Sequence, residues 1–271
     1  NIDKLAFNKF KLQNILDEIE SLKYLAERCN TIPRYIEYYY NDRGKEINIV
    51  TEYIEGVTLD TYILDKYHIL KTDPKLLWSI IYGIVNGLNC IHSNGFAHRD
   101  IKLQNIMITS DGNIKYIDLG LSCVDKCKWS DCKNICNGKV GTPLYRSPES
   151  YLLDYNITNL EKSKEQDIWA LGIVLYQLAN GYENYPFDLP PGTNIYQLRN
   201  IVVNGPLKKS NYNSDNNINM LIDNILIKDP NSRLKIHQIY TLVIDIIKGD
   251  DILDEDDSEL NTTIEIDYTS E

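Results

Sequence analysis

Apolar residues recur at helical spacing in several stretches of the chain. From Phe10 to Arg28, leucine and isoleucine return every three or four residues, which predicts an amphipathic helix. A second helix is predicted from the N-cap acid of Asp73-Pro74 to Gly95. The stretch 167–181 is apolar on all sides, which is typical of a buried helix. Three shorter helices are predicted near residues 194–203, 217–227 and 235–247.

Runs of β-branched and aromatic residues around polar turns predict two hairpins. Tyr35–Tyr40 and Glu46–Tyr53 would form the first. Ile106–Thr109 and Ile114–Ile117 would form the second, around a turn that contains Asp-Gly. Together with the helices, these hairpins predict an α+β fold.

The second hairpin is preceded and followed by residues that suit phosphate chemistry. It would bring Asn105 and Asp118 together although 13 positions separate them, and both offer the hard oxygen ligands that Mg²⁺ prefers. Asp100 lies in the loop just before, where a carboxylate can accept a proton from an attacking hydroxyl. Lys102 points the same way and can neutralise a transferring phosphoryl group.

These residues carry a resemblance to a known family. HRDIKLQN (98–105) resembles the catalytic loop of eukaryotic-type protein kinases, and Asp118-Leu119-Gly120 resembles the D-F-G triplet. GTPLYRSPE (141–149) is similar to the P+1 loop and A-P-E motif. The resemblance implies a two-lobed fold: a partial N-terminal β lobe with the hinge in 1–54, and a mainly helical C-terminal lobe in 55–248. The alternative is a polar turn over a buried hairpin.

The resemblance implies a serine/threonine protein kinase that transfers the γ-phosphoryl group of Mg-ATP to protein hydroxyls. Asp100 would orient and deprotonate the hydroxyl, while Lys102 stabilises charge. Asn105 and Asp118 would hold Mg²⁺. Thr142 is expected to bond Asp100 and Lys102, which is the pattern of serine/threonine kinases rather than tyrosine kinases.

The nucleotide is expected beside the passage from the first hairpin into the next helix. The resemblance implies that Thr51 is the gatekeeper residue. It also implies that the backbone of Glu52 and Ile54 hydrogen-bonds the edge of the adenine. Thr58 would reach the ribose, with Asp60 as an alternative. Met107 would form part of the floor under the adenine.

Glu18 resembles the αC glutamate that pairs with a strand lysine in protein kinases. Such a lysine would fall at or before residue 3 of this chain, and Lys4 is the only nearby candidate. No G-x-G-x-x-G motif occurs. We therefore expect the sequence to begin inside a truncated N-terminal lobe.

Three structural roles also follow from the resemblance. Glu149 is expected to form a buried ion pair with Arg233. Asp167, at the start of its predicted helix, would hold the backbone of the catalytic loop, and His98 would pack in the core.

Composition limits the setting and the partners. Six cysteines without an evident secreted framework predict a reducing, cytoplasmic compartment. The net charge is −11, but residues 250–271 hold ten acids and no lysine or arginine, so 249–271 is expected to be a disordered acidic tail. The nearly neutral body argues against nucleic acid. We expect a monomer with ATP and a protein substrate as partners, and no membrane contact.

Four cysteines cluster between the second hairpin and Gly141, with the spacing C-x₃-C-x₄-C-x₃-C: Cys123, Cys127, Cys132 and Cys136. They are candidate Zn²⁺ ligands, although structural zinc sites usually separate two short pairs by a longer loop. Free thiols and disulfides formed on oxidation are the alternatives. Ser130 lies between the two pairs, and its phosphorylation would place negative charge near Arg99.

Two other functions fit parts of the pattern. A pseudokinase or scaffold would bind partners through the same fold, but it has no need for Asp100, Asn105 and Asp118 together. A small-molecule kinase could share the catalytic loop, but the segment 141–149 is typical of kinases with a peptide site.

Overall fold

The computed structural model describes residues 2–41, 46–124, 136, 140–152 and 159–249, with backbone alone for 2–11. The expected acidic tail beyond Gly249 lies outside these residues, as do Cys127, Ser130 and Cys132.

Seven α-helices make up about half of the part of the chain that the structure describes. They are α1 (Ile2–Ala26), α2 (Leu59–Leu70), α3 (Pro74–Ser93), α4 (Leu160–Asn180), α5 (Ile195–Asn204), α6 (Asn216–Ile225) and α7 (Ile236–Gly249). The strands are β1 (Tyr35–Tyr40), β2 (Ile47–Thr51), β3 (Gly56–Thr58), β4 (Phe96–Ala97), β5 (Ile106–Thr109), β6 (Ile114–Tyr116) and β7 (Cys123–Val124). They form three small antiparallel sheets, β1-β2, β3-β5-β6 and β4-β7. The predicted α+β class is confirmed.

The predicted helices are present with shifted ends. α1 begins well before Phe10, and α4 begins at Leu160 rather than Asp167. The earlier start of α4 has a local cause, because the side chain of Asn159 accepts the backbone N–H of Lys162 and caps the helix. Helix α2 was not predicted, and it follows β3 directly.

The core lies between α3 and α4. The predicted cap of α3 is present, since Asp73 accepts the backbone N–H of Leu76. α4 is buried on almost every side, which its continuous apolar sequence required. Helix α7 packs on α3, and α6 packs on α4, so these two long helices form a support for the loop that follows β4.

A buried ion pair ties the end of segment 141–149 to the helical region. Arg233 Nη1 and Nη2 donate to the two carboxylate oxygens of Glu149 at 2.6 and 2.7 Å. The predicted pair is therefore confirmed, and its bidentate form satisfies two charges that burial would otherwise destabilise.

Two disulfides join four of the six cysteines, Cys29 with Cys90 and Cys123 with Cys136. For Cys123 and Cys136 a disulfide was one of the alternatives left open, and the reducing, cytoplasmic compartment stays a prediction. Within the described residues, no helix is long and apolar enough to cross a bilayer.

Candidate functional site

A buried carboxylate on α4 holds the backbone of the loop that follows β4. Asp167 accepts the backbone N–H groups of His98 and Arg99, each at 2.7 Å, and its Oδ2 lies 2.9 Å from Nε2 of His92. Arg99 has a positive φ of 66°, a conformation that a non-glycine residue adopts only where its surroundings hold it. Asp167 therefore positions the loop as predicted, and His98 is fully buried as predicted.

The side chains of Asp100, Lys102 and Thr142 meet in one hydrogen-bonded cluster. Lys102 Nζ donates to Asp100 Oδ2 at 2.7 Å and to Thr142 Oγ1 at 3.1 Å. Asp100 Oδ1 accepts the hydroxyl of Thr142 at 2.7 Å and its backbone N–H at 2.9 Å. The two predicted contacts, of Thr142 with Asp100 and with Lys102, are present. The bond between Lys102 and Asp100 was not predicted.

The cluster keeps the Asp100 carboxylate charged. Burial alone would raise its pKa, but hydrogen bonds from Lys102 and Thr142 outweigh burial and hold the pKa of Asp100 below its usual value. A carboxylate that is ionised at neutral pH can accept a hydrogen bond from a substrate hydroxyl and orient it.

Gly141 lets the segment before Thr142 approach the loop that follows β4. Its φ is +96°, and a Cβ at this position would lie 2.6 Å from the carbonyl oxygen of Arg99. Glycine is thus required both for the backbone conformation and for the close approach. The sequence contains this signal in Gly-Thr-Pro, but its spatial meaning depends on the position of Arg99.

Asn105 and Asp118 lie on either side of the β5-β6 hairpin. The backbone N–H of Ile117 donates to the carbonyl oxygen of Asn105 at 2.9 Å, which places the residue before Asp118 beside Asn105. Asn105 donates through Nδ2 to Asp100 Oδ2 at 3.0 Å, so its Oδ1 remains available as a ligand. Asp118 is exposed and accepts the N–H of Gly120 at 3.2 Å. An amide oxygen and an open carboxylate fit a magnesium ion.

A cavity of about 200 Å³ lies between α1, β2 and the segment 116–119. Its lining includes four predicted nucleotide-site residues, namely Glu18, Thr51, Ile54 and Asp118. Burial, and secondly the charge of Asp118, raise the pKa of Glu18. The described residues that line the cavity include no lysine or arginine, and the side chain of Lys4 lies outside the described part.

The other predicted nucleotide residues do not line this cavity. Thr58 lies opposite Met107 in the β3-β5 ladder, and its hydroxyl lies 3.1 Å from that of Thr61. The side chain of Glu52 pairs with Lys115 at 2.8 Å. The backbone N–H of Glu52 donates to the carbonyl oxygen of Arg34 at 2.8 Å, and the carbonyl oxygen of Glu52 accepts the hydroxyl of Thr51 at 3.3 Å.

The four-cysteine zinc site is not formed in this structure. Cys123 and Cys136 are joined in a disulfide, and its sulfurs are not the thiolates that zinc requires. The remaining two candidates, Cys127 and Cys132, lie outside the described residues. In the described ranges, no group of three or more histidine, cysteine or acidic side chains is placed to hold a metal ion.

Comparison with known proteins agrees with this geometry. The family described as "protein kinase domain" matches residues 1–242, so the chain belongs to the protein kinase domain family.

Curated relatives narrow the class to serine/threonine kinases. The chain is 31% identical over 239 residues to serine/threonine-protein kinase 36 of Pongo abelii, covering 86% of this chain and 16% of that protein. It is 30% identical over 226 residues to serine/threonine-protein kinase ste20 of Emericella nidulans, covering 83% and 24%. It is 28% identical over 230 residues to maternal embryonic leucine zipper kinase of Xenopus laevis, covering 84% and 32%. The chain therefore spans between a sixth and a third of these relatives.

Proposed function

We propose that the chain is the catalytic domain of a serine/threonine protein kinase that transfers the γ-phosphoryl group of ATP to protein hydroxyls. The observation that carries this proposal is the cluster in which Lys102 and Thr142 both bond the Asp100 carboxylate. A structural turn has no need for a charged carboxylate that two donors hold beside an open segment.

In this reaction Asp100 accepts the hydrogen bond of the substrate hydroxyl, directs its oxygen at phosphorus and takes up its proton. Lys102, held at 2.7 Å from Asp100, supplies positive charge beside the transferring group. Thr142 restrains both side chains, because its hydroxyl contacts each of them.

Asn105 and Asp118 are proposed to hold the magnesium ion that accompanies ATP. A magnesium ion held there would supply positive charge to the phosphate groups, on which charge develops during transfer. The bond from Asn105 to Asp100 couples the proposed metal ligand to the proposed base, so that both keep one mutual orientation.

The cavity beside Thr51 and Ile54 is proposed to take the nucleotide base. Glu52 and Ile54 would contribute backbone groups, Thr58 the ribose contact and Met107 part of the floor, as the family resemblance implies. On this proposal 1–54 forms the N-terminal lobe with the hinge, and 55–248 forms the C-terminal lobe.

Two substitutions in the full-length protein test the proposal. Asp118→Asn should abolish magnesium-dependent phosphoryl transfer to a serine or threonine peptide, because a ligand charge is lost. Asp100→Asn should retain nucleotide binding and reduce turnover by about 10² or more, as expected for a positioned base. Asp111→Asn, an exposed acid in the turn of the same hairpin, is the matched control and should retain activity.

The result also separates kinase from scaffold. Near-normal turnover in both Asp100→Asn and Asp118→Asn would refute the assigned roles. A wild-type protein that binds partners but transfers no phosphate would favour the pseudokinase alternative.

A further inference from the structure

We propose that Cys123 and Cys136 are a reversible thiol–disulfide site that controls the placement of Thr142, and with it the restraint on Asp100 and Lys102. The proposal deepens the kinase assignment and rests on it for its kinetic consequence. Its structural consequence can be measured whether or not the protein transfers phosphate.

Cys123 is paired with the strand that leads into the loop carrying Asp100. It lies in β7, which pairs with β4 so that Cys123 stands opposite Ala97. The next residue after Ala97 is His98, the first residue of the loop that carries Asp100. Cys123 is therefore anchored to the strand that delivers the catalytic carboxylate.

Cys136 is held against the same pair of strands. Its backbone N–H donates to Val124 at 3.2 Å, and its side chain is fully buried in a small cluster with Ala97, Cys123 and Leu160. The disulfide thus joins the middle of the segment after Gly120 to the β4-β7 ladder. Among the described contacts, breaking the bond would leave Cys136 held to β7 by one backbone hydrogen bond.

Only five residues separate Cys136 from Thr142. Within that span Gly141 packs against the backbone of Arg99, and Thr142 bonds Asp100 and Lys102. The disulfide shortens the connection from the β4-β7 ladder to Gly141 from 16 intervening residues, counted from Val124, to four, counted from Cys136. Holding Gly141 in one place therefore costs less loop-closure entropy. The disulfide therefore favours the arrangement in which Thr142 contacts Asp100.

The chemistry balances with a small disulfide such as oxidised glutathione as the oxidant. One cysteine thiolate attacks it and releases one glutathione thiolate, and the second cysteine then displaces the other, forming the Cys123–Cys136 bond. The protein loses two electrons and two protons, and two glutathione thiols are produced. A dithiol reverses the reaction. Because both sulfurs are buried, exchange requires the segment to open first.

The same region separates this device from the zinc alternative. Zinc would need Cys123 and Cys136 as thiolates, whereas the disulfide consumes both. One zinc per chain in the purified protein, lost when Cys123 and Cys136 are both changed to serine, would therefore overturn the proposal.

The first test is amide hydrogen exchange of residues 140–146 in the full-length protein, with and without a dithiol. Peptide mapping without reductant should recover Cys123 and Cys136 in one cross-linked species. Reduction should then speed exchange in 140–146 by about tenfold or more, since a restraint on local opening is removed. The double variant Cys123→Ser, Cys136→Ser should exchange at the faster rate under both conditions.

The matched control is Cys29→Ser with Cys90→Ser, which removes the other disulfide. This variant should keep the response of residues 140–146 to the dithiol. In the kinetic assay, reduction of the wild-type protein should lower turnover of the peptide by about fivefold or more while KM for ATP changes less than about twofold.

Several results would overturn the proposal. They are the absence of the cross-linked species in oxidised protein, equal exchange of 140–146 in the two redox states, and an equal response in the Cys123→Ser, Cys136→Ser variant. If exchange responds but no phosphoryl transfer occurs under either condition, the structural link holds and the kinase assignment fails.

Discussion

At the scale of single residues, His98 illustrates how burial determines a protonation state. Its ring is fully buried, and its Nδ1 accepts the backbone N–H of Asp100 at 3.3 Å, which requires that nitrogen to be unprotonated. Burial lowers the pKa of His98 below its ordinary value of 6.5, although the nearby charges of Asp167 and Asp100 oppose the shift. The neutral imidazole is therefore part of the folded structure.

The shift gives stability a pH dependence. With a folded-state pKa below the unfolded value of about 6.5, the unfolded protein binds more protons as pH falls, so this contribution to stability is present above that pH and is lost below it. His98→Phe should reduce the loss of unfolding free energy on acidification by up to about 1.4 kcal/mol per pH unit. Urea unfolding between neutral and mildly acidic pH measures the slope, and an unchanged slope in the variant would contradict the assignment.

At the scale of elements, the packing of segment 140–152 on the catalytic loop depends on Gly141. We expect Gly141→Ala to separate the two segments, because its Cβ would lie 2.6 Å from the carbonyl oxygen of Arg99. Turnover should then fall by about tenfold or more, since Thr142 no longer restrains Asp100 and Lys102. Steady-state kinetics on a folded variant is the measurement.

Gly192→Ala is the control for backbone strain. Gly192 also has a positive φ of +79°, but a Cβ there would meet no atom within 4 Å. This variant should lose stability of the order of 1 kcal/mol through its backbone conformation and keep full turnover. Equal losses of turnover in the two glycine variants would show that strain, rather than the contact with Arg99, is responsible.

The sequence predicted elements well where a local pattern defines them. The bounds of β1 and β5 agree with the prediction, because alternating and β-branched residues specify a strand within a few positions. The two-residue strands β4 and β7 carry no periodicity, and they pair only because tertiary structure brings them together. The Cys29–Cys90 disulfide was missed for the same reason, since the two cysteines are 61 positions apart and a sequence does not contain their distance.

The site shows the same division. The family resemblance predicted that Thr142 would bond Asp100 and Lys102 and that Asp167 would hold their loop. Some of the predicted nucleotide-site residues do not line the cavity. Thr58 and Met107 face each other across a ladder outside the cavity, which depends on strand register rather than on motif spacing.

At the scale of the whole molecule, we expect the charge of the proposed nucleotide cavity to govern its affinity for ATP. Glu18 and Asp118 both line it, and its described lining holds no cationic side chain. We expect residues 1–271 to bind ATP more weakly than micromolar, because two carboxylates face a polyanion. Glu18→Gln should tighten magnesium-free ATP binding to this chain by about two- to fivefold, since it removes one like charge.

Isothermal titration of both proteins measures the change. Glu20→Gln, on the same helix but outside the cavity lining, is the matched control and should bind as the wild type does. Micromolar affinity of the unaltered chain, or no difference between Glu18→Gln and Glu20→Gln, would show that the cavity is better suited to phosphate than its described residues indicate.

The disulfide between Cys29 and Cys90 affects the order in which parts of the molecule unfold. Cys29 follows α1 by three residues, while Cys90 lies in the last turn of α3. α3 belongs to the core, and core helices open only with the highest free energies in a protein. The covalent link therefore makes the end of α1 part of the same cooperative unit as α3. The β1-β2 hairpin, whose aromatic side chains are largely exposed, can then unfold while the helix just before it remains in place.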